Sequence, residues 1–449
     1  METNSIEKKQ NNKVIGLLFF GVLMGALDIS IVGPAIPMIE KTLQITSRES
    51  GLIFSSYVLF NLIGISLFAR LSDKFGRRNI YVIALSIFAL GSLIVSFIHD
   101  FNWLIVGRAI QGFGASGIFP VASALVGDLF PVEKRGRILG LIGAVFGLAF
   151  LLGPFIAGFL LRYFSWNFLF IINLPIAAVL IYYSFKILPS KSVIKNIKID
   201  WKGIIALGIA LAAFTFGMNS INGYDLSSFI QLSVIIPFMI AILAFVYIIV
   251  SEKHIEYPII KLSFFKNSQI LIAGILAVVT GLIQACFVFI PKFVIHEFQV
   301  EPSTASFMLT PFVLATAVGS PVFGRMIDKY GVKIIIIIGL SLLTAGFYML
   351  SQVHGNLGFY YTSGALVGLG LSILSGSSLR YILLNNTSAE DRSTSQGLIT
   401  IFTSIGQITG SALIGILLTS SLNGFHWNFI GIATITSMML FISLKLKNR

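Results

Sequence analysis

Residues 69–78 read ARLSDKFGRR, and residues 324–333 read GRMIDKYGVK. Each stretch follows a long apolar run and precedes another, and the two are offset by 255 residues. Outward from this pair the same shift recurs. Gly112-Phe113-Gly114 answers Gly368-Leu369-Gly370 at 256, and Gly153 and Gly158 answer Gly410 and Gly415 at 257. Trp166-Asn167-Phe168 answers Trp427-Asn428-Phe429 at 261. One such match is expected from an apolar composition, but a series in chain order implies two related halves.

The 449 residues are 56% hydrophobic and only 11% charged, with a mean hydropathy of +0.92. Soluble domains carry about 25% charged residues, so this chain is built for lipid. Fourteen apolar runs are long enough to cross a bilayer, which takes about 20 helical residues. None alternates with period two, which leaves helices as the spanning structure. The expected fold is an all-α membrane protein of fourteen transmembrane helices, two six-helix bundles with two extra central helices. Residues 1–13 form a cytoplasmic N-terminus, 14–188 the first bundle, and 189–266 the linkers with the two inserted helices. Residues 267–449 form the second bundle and a short tail. The first run is too long for a signal-peptide core, so it is expected to stay attached.

The net charge of +13 is resolved by where the cations sit. With the N-terminus in the cytoplasm, all but five of the 31 Lys and Arg fall in cytoplasmic segments. The exceptions are Lys41, Arg48, Arg162 and Lys292 at the outer side, and Arg108 within a span. This asymmetry predicts both termini inside a cell membrane. It also excludes a nucleic-acid partner, because the charge is scattered rather than gathered in one patch.

Among the 18 acids, Asp28 is the one near the middle of a span. An intramembrane carboxylate is costly unless protonated, paired or facing water, and such residues are functional by default. Its expected role is to bind a proton from one side and release it to the other. The plainer reading is a cap at a break in the first helix beside Pro34. Arg108 is the deep cation and needs a partner, either as part of proton coupling or as a fixed ion pair or link to Gln111. The repeat puts Ala365 opposite Arg108 and Ile283 near Asp28, so neither charge belongs to the shared scaffold.

Asp73, Gly76, Arg77, Arg78 and Asp328 lie in the two repeated loops at the cytoplasmic surface. Gly76 permits a tight turn, the arginines suit anionic headgroups, and Asp73 suits a helix N-terminus. This pattern reads as a conformational latch rather than a substrate site, although a plain positive-inside loop explains the arginines alone. Gly140, Gly143, Gly147, Gly153 and Gly158 thin one face of the fifth span and Pro154 bends it, a pattern that suits close helix packing. Tyr57, Asn61, Gln111, Gln284 and Gln407 are candidate cavity residues from their helix positions.

Other patterns carry no chemistry. Gly112-Phe-Gly-Ala-Ser-Gly117 has dinucleotide-type spacing but follows no strand. No phosphate-binding loop is present, so ATP is not expected as the energy source. The five histidines have no ligand spacing, and the lone Cys286 cannot form an intrachain disulfide, so no metal or cofactor is expected.

These motifs together resemble a known family. ARLSDKFGRR is similar to the loop signature of the major facilitator superfamily, and Arg108 through Gly114 to its fourth-helix motif. Gly140 and Ala149 followed by Gly153-Pro154-Phe-Ile-Ala157-Gly158 resembles its fifth-helix antiporter motif. Leu27-Asp28-Ile-Ser30-Ile31-Val32 through Pro37, and Trp166 through Pro175, resemble signatures of the fourteen-helix drug:proton antiporter family. Departures are Ala69, Ala149 and Ala157 in place of glycines, and Gly33-Pro34 where the family often has Asn-Val. The resemblance implies a proton-coupled exporter of amphipathic drugs, not an enzyme, working as a monomer by alternating access. It further implies that Arg108 influences proton transfer and that the fifth-helix motif serves antiport. Two alternatives stay open: an exporter of an endogenous lipid, metabolite or sugar, and a transport-silent membrane sensor or scaffold.

Overall fold

A chain in lipid must satisfy every backbone N–H and C=O internally, and a helix does so within one segment. The computed structural model describes residues 2–97, 100–189, 201–221, 226–251, 262–387, 392–420 and 423–447, with no strand among them. In order the helices are α1 (Glu2–Leu43), α2 (Ser47–Phe75), α3 (Arg77–Phe97), α4 (Phe101–Leu129) and α5 (Val132–Tyr163). Next come α6 (Phe168–Ile171), α7 (Asn173–Ile187), α8 (Trp201–Ser220), α9 (Leu232–Ser251), α10 (Ser268–Phe298) and α11 (Pro302–Phe307). The last are α12 (Thr310–Tyr330), α13 (Val332–Ser351), α14 (Leu357–Ile373), α15 (Leu379–Asn386), α16 (Arg392–Ser420) and α17 (Gly424–Ser443).

Among the described residues, eleven helical segments are long and apolar enough to span a membrane, and Leu152–Tyr163 and Leu357–Ile373 add two shorter apolar ones. Helix α2 has 29 residues, about 44 Å at 1.5 Å per residue, and supplies the remaining apolar run. Phe216, Leu243 and Phe441 stand 63%, 64% and 71% exposed. Acyl chains rather than water suit such surfaces, and the chain is an all-α, multi-pass membrane protein.

The helices gather into two compact units, Met1–Leu43 with Ser56–Ile204, and Gln44–Ser55 with Ile205–Arg449. In the first, α3 packs along α4 and α1 along α5. In the second, α13 packs along α14 and α10 along α16. These are the same partnerships shifted by the repeat. Small residues let the axes approach: Gly114 of α4 abuts the backbone of Phe88, and Gly406 of α16 abuts that of Val278.

Local details repeat as well. Asp100 caps α4 by accepting from the Trp103 N–H at 3.1 Å, and Asn356 caps α14 by accepting from Phe359 N–H at 3.1 Å. Gly76 and Gly331 turn the two signature loops with φ of 92° and 85°, a region glycine enters without a Cβ penalty. The inserted helices α8 and α9 join the second unit, where Met218, Ile221 and Val234 cluster with Ala412 and Ile416 of α16.

Candidate functional site

Helix periodicity sets Arg108 and Gln111 one turn apart on the same face of α4. That face meets α1 at Asp28. Arg108 Nη1 donates to Asp28 Oδ2 at 2.6 Å and to Gln111 Oε1 at 2.5 Å. Gln111 Nε2 donates to Asp28 Oδ1 at 2.6 Å and to Ser92 Oγ of α3 at 2.8 Å. Asn173, the first residue of α7, donates through Nδ2 to Asp28 Oδ1 at 3.0 Å. Donors from α4 and α7 thus converge on the α1 carboxylate, and α3 braces Gln111 through Ser92. Asp28, Arg108, Gln111 and Ser92 are fully buried, and Asn173 is 2% exposed.

Two rings complete the shell. The Arg108 guanidinium carbon lies 4.3 Å from the Tyr57 ring centre and 5.6 Å from that of Phe170. Aromatic faces attract a cation, most strongly where water is absent. Removing two ions from water is expensive, and the three donors that Asp28 accepts from help to offset the cost. This geometry also equips the cluster for a change of charge. If Asp28 takes a proton, Arg108 keeps Gln111 Oε1 and the two rings, and the Gln111 and Asn173 amides keep an oxygen to donate to.

The fifth-span motif sits beside this cluster. Ser30, two residues beyond Asp28, donates to the carbonyls of Leu27 at 2.9 Å and of Ala149 in α5 at 3.0 Å. Gly153 lies directly against Ser30, where a Cβ would collide with the hydroxyl. Pro154 and Gly158 are buried in the same helix. The side-chain positions of Gly140, Gly143 and Gly147 lie outside the described residues.

At the α2–α3 turn, Arg77 holds two carboxylates: Asp73 through Nη1, and Asp128 at the end of α4 through Nε at 2.9 Å. Its Nη1 also reaches Ser72 Oγ at 2.6 Å. Gly76 supplies the turn, and the Arg78 guanidinium carbon lies 5.8 Å from the Phe185 ring centre. The Asp328 side chain lies outside the described residues.

The five cavity candidates separate. Tyr57 and Gln111 belong to the Asp28 cluster, and Asn61 Nδ2 donates to the Gly112 carbonyl at 3.3 Å. In the second unit, Gln407 Nε2 donates to Gln284 Oε1 at 2.9 Å. The sequence placed Asn173 in a family signature without a role, and Ser92 and Asp128 were missed. Asn173 was findable as an amide opening an apolar helix; Asp128 at a helix end and Ser92 gave no signal of their own.

The sequence profile of the Major Facilitator Superfamily, whose members are transporters rather than enzymes, matches residues 18–290 and 272–449. The chain belongs to this superfamily. Among related superfamily proteins, multidrug resistance protein 3 of Bacillus subtilis is 30% identical over 431 residues, covering 94% of this chain and 82% of that protein. Riboflavin transporter RibZ of Clostridioides difficile is 28% identical, covering 82% of this chain and 79% of that protein. The nucleoside transporter NupG shares the fold, with a TM-score of 0.69 at 15% identity over 98% of this chain and all of that one.

Proposed function

We propose that this transporter exports amphipathic organic compounds, drugs among them, in exchange for protons across the cell membrane, with both termini in the cytoplasm. The observation that carries the reading is the buried Asp28–Arg108 pair, joined at 2.6 Å within the first unit. Ile283 and Ala365 stand at the positions the repeat relates to these two. A scaffold role would be expected in both halves, and a charge confined to one suits coupling. The named function of the Bacillus subtilis relative supports the drug-export reading.

In the proposed cycle Asp28 is protonated from outside, Arg108 then rests on Gln111, Tyr57 and Phe170, and substrate binding from inside expels the proton and restores the pair. Residues 14–188 and 267–449 act as the alternating bundles, and the Arg77 cluster as the latch. Moving one charge across about 100 mV supplies about 2.3 kcal/mol. For an uncharged substrate that sustains roughly a 50-fold gradient before any pH difference is added, whereas a monocation exchanged one for one is driven by the pH difference alone.

The deciding experiment uses everted vesicles holding a pH gradient, to which ethidium is added. Wild type is expected to dissipate the gradient and Asp28→Asn to leave it unchanged. Equal dissipation by both rules Asp28 out as the coupling group.

A second reading rests on the 2.9 Å amide pair of Gln284 and Gln407 and on the riboflavin transporter relative. Two amides offering donors and acceptors suit a polar heterocycle better than a purely apolar drug, so the same coupling would then serve an endogenous metabolite.

A further inference from the structure

The helix ends of the second unit opposite the Asp328–Lys333 turn form a half-open cavity of about 240 Å³. The ends of α10 and α13, the start of α17 and the α13–α14 loop form it. Its floor is aromatic: Phe293 lies 5.4 Å from Phe425 and 5.0 Å from Phe429, both edge-on. Its rim carries His296 and Glu297 from α10, His354 from the loop and His426 from α17. These are all three histidines among the described residues, brought together from sequence positions up to 130 apart. Among the described residues no other ionisable side chain lines the cavity.

The rim is built, not accidental. Glu297 Oε1 accepts from the Gly355 N–H at 2.6 Å, which ties down the loop and leaves the second carboxylate oxygen for a ligand. His426 Nδ1 lies 2.9 Å from the Ser351 carbonyl. A carbonyl only accepts, so Nδ1 carries the proton. Among the described residues no three His, Cys, Asp or Glu converge closely enough to hold a metal ion.

Aromatic faces beside a single carboxylate form the chemistry that recognises an organic ammonium. At about 240 Å³ the cavity falls below the roughly 300–1,000 Å³ of drug-sized sites, so the ligand is compact. We propose that this cavity is a second binding site, distinct from the Asp28 cluster, for small organic cations, and that protonation of its three imidazoles empties it. Imidazole is the side chain whose charge changes between about pH 5 and 8. With the imidazoles neutral, Glu297 is the one charged group at the described rim and a cation is held. With them protonated, three positive charges face the ligand and expel it. The charge asymmetry of the loops puts this end outside the cell. The proposal rests on the export reading only for the direction of release, where an acidic exterior would favour departure; the binding site stands without it.

The test is calorimetric titration of benzyltrimethylammonium into the purified full-length protein at about pH 8 and about pH 5. Saturable binding is expected at the higher pH, weakened roughly tenfold or more at the lower. Glu297→Gln keeps an oxygen for Gly355 and so keeps the loop, but removes the charge, and is expected to weaken binding by a similar factor. The combined variant His296→Asn, His354→Asn, His426→Asn is expected to bind at both pH values. Asp28→Asn leaves this cavity intact and is expected to bind as wild type does. Absence of saturable binding to wild type, indifference to Glu297→Gln, a pH dependence that survives in the histidine variant, or loss of binding in Asp28→Asn would each overturn the proposal.

Discussion

Arg108 Nη1 and Asp28 Oδ2 lie 2.6 Å apart with neither side chain exposed, on helices whose charged residues are 80 positions apart in the chain. Leaving one ion of such a pair alone in a dry interior costs far more than removing both. Arg108→Ala is therefore expected to destabilise the protein by about 3–5 kcal/mol, the usual cost of breaking a buried pair. The double variant Asp28→Asn with Arg108→Gln is expected to recover most of that loss. Thermal unfolding of the three proteins in detergent measures it. A double variant no more stable than Arg108→Ala would mean that the pair is not the unit the geometry implies.

Asn173 is the third donor to the same carboxylate, so Asn173→Leu is expected to cost about 1–3 kcal/mol, as for other buried acceptors left short of a partner. Its readouts are unfolding temperature and ethidium efflux, both expected to fall. Asn173→Gln places the amide one methylene too far along and is not expected to rescue either.

Much of this cluster is legible in the sequence, and the reason is physical. Asp28 and Arg108 stand out because lipid tolerates so few charges that each demands an explanation. The repeat is legible because turns and caps constrain residue types: Gly76 and Gly331, Asp100 and Asn356. Ser92 is not legible, because a lone serine is cheap anywhere in a helix and only the fold aims it at Gln111. The gathering of His296, His354 and His426 was equally hidden, since local spacing says nothing about three segments that meet only when α10, α13 and α17 pack.

Gly153 is expected to matter through Ser30. A Cβ there collides with the Ser30 hydroxyl, so Gly153→Ala should cost about 1–3 kcal/mol as an overpacked contact and slow efflux. Ser30→Gly removes the obstacle and should recover only part of the loss in the double variant, because it also gives up the Ser30–Ala149 hydrogen bond and puts a glycine inside α1. If Gly153→Ala is silent in both unfolding and efflux, α5 does not hold α1 beside Asp28.

For the Arg77 cluster the expected signature is functional rather than energetic. Its side chain and those of Asp73 and Asp128 are 12%, 23% and 32% exposed. Pairs so near the surface contribute about 0–1 kcal/mol. Arg77→Ala should thus leave the unfolding temperature nearly unchanged while cutting efflux several-fold. Arg77→Lys should not restore it, because a point charge cannot span two carboxylates and Ser72 as the guanidinium fork does.

The central claim, that Asp28 exchanges its proton for substrate, is tested most directly by proton release. Purified protein in weakly buffered detergent, with a pH-sensitive dye, is mixed with ethidium. Wild type is expected to release protons in proportion to the ethidium bound, and Asp28→Asn to bind ethidium and release none. Equal release from both proteins, or binding by wild type with no release at any pH where it transports, would contradict the account.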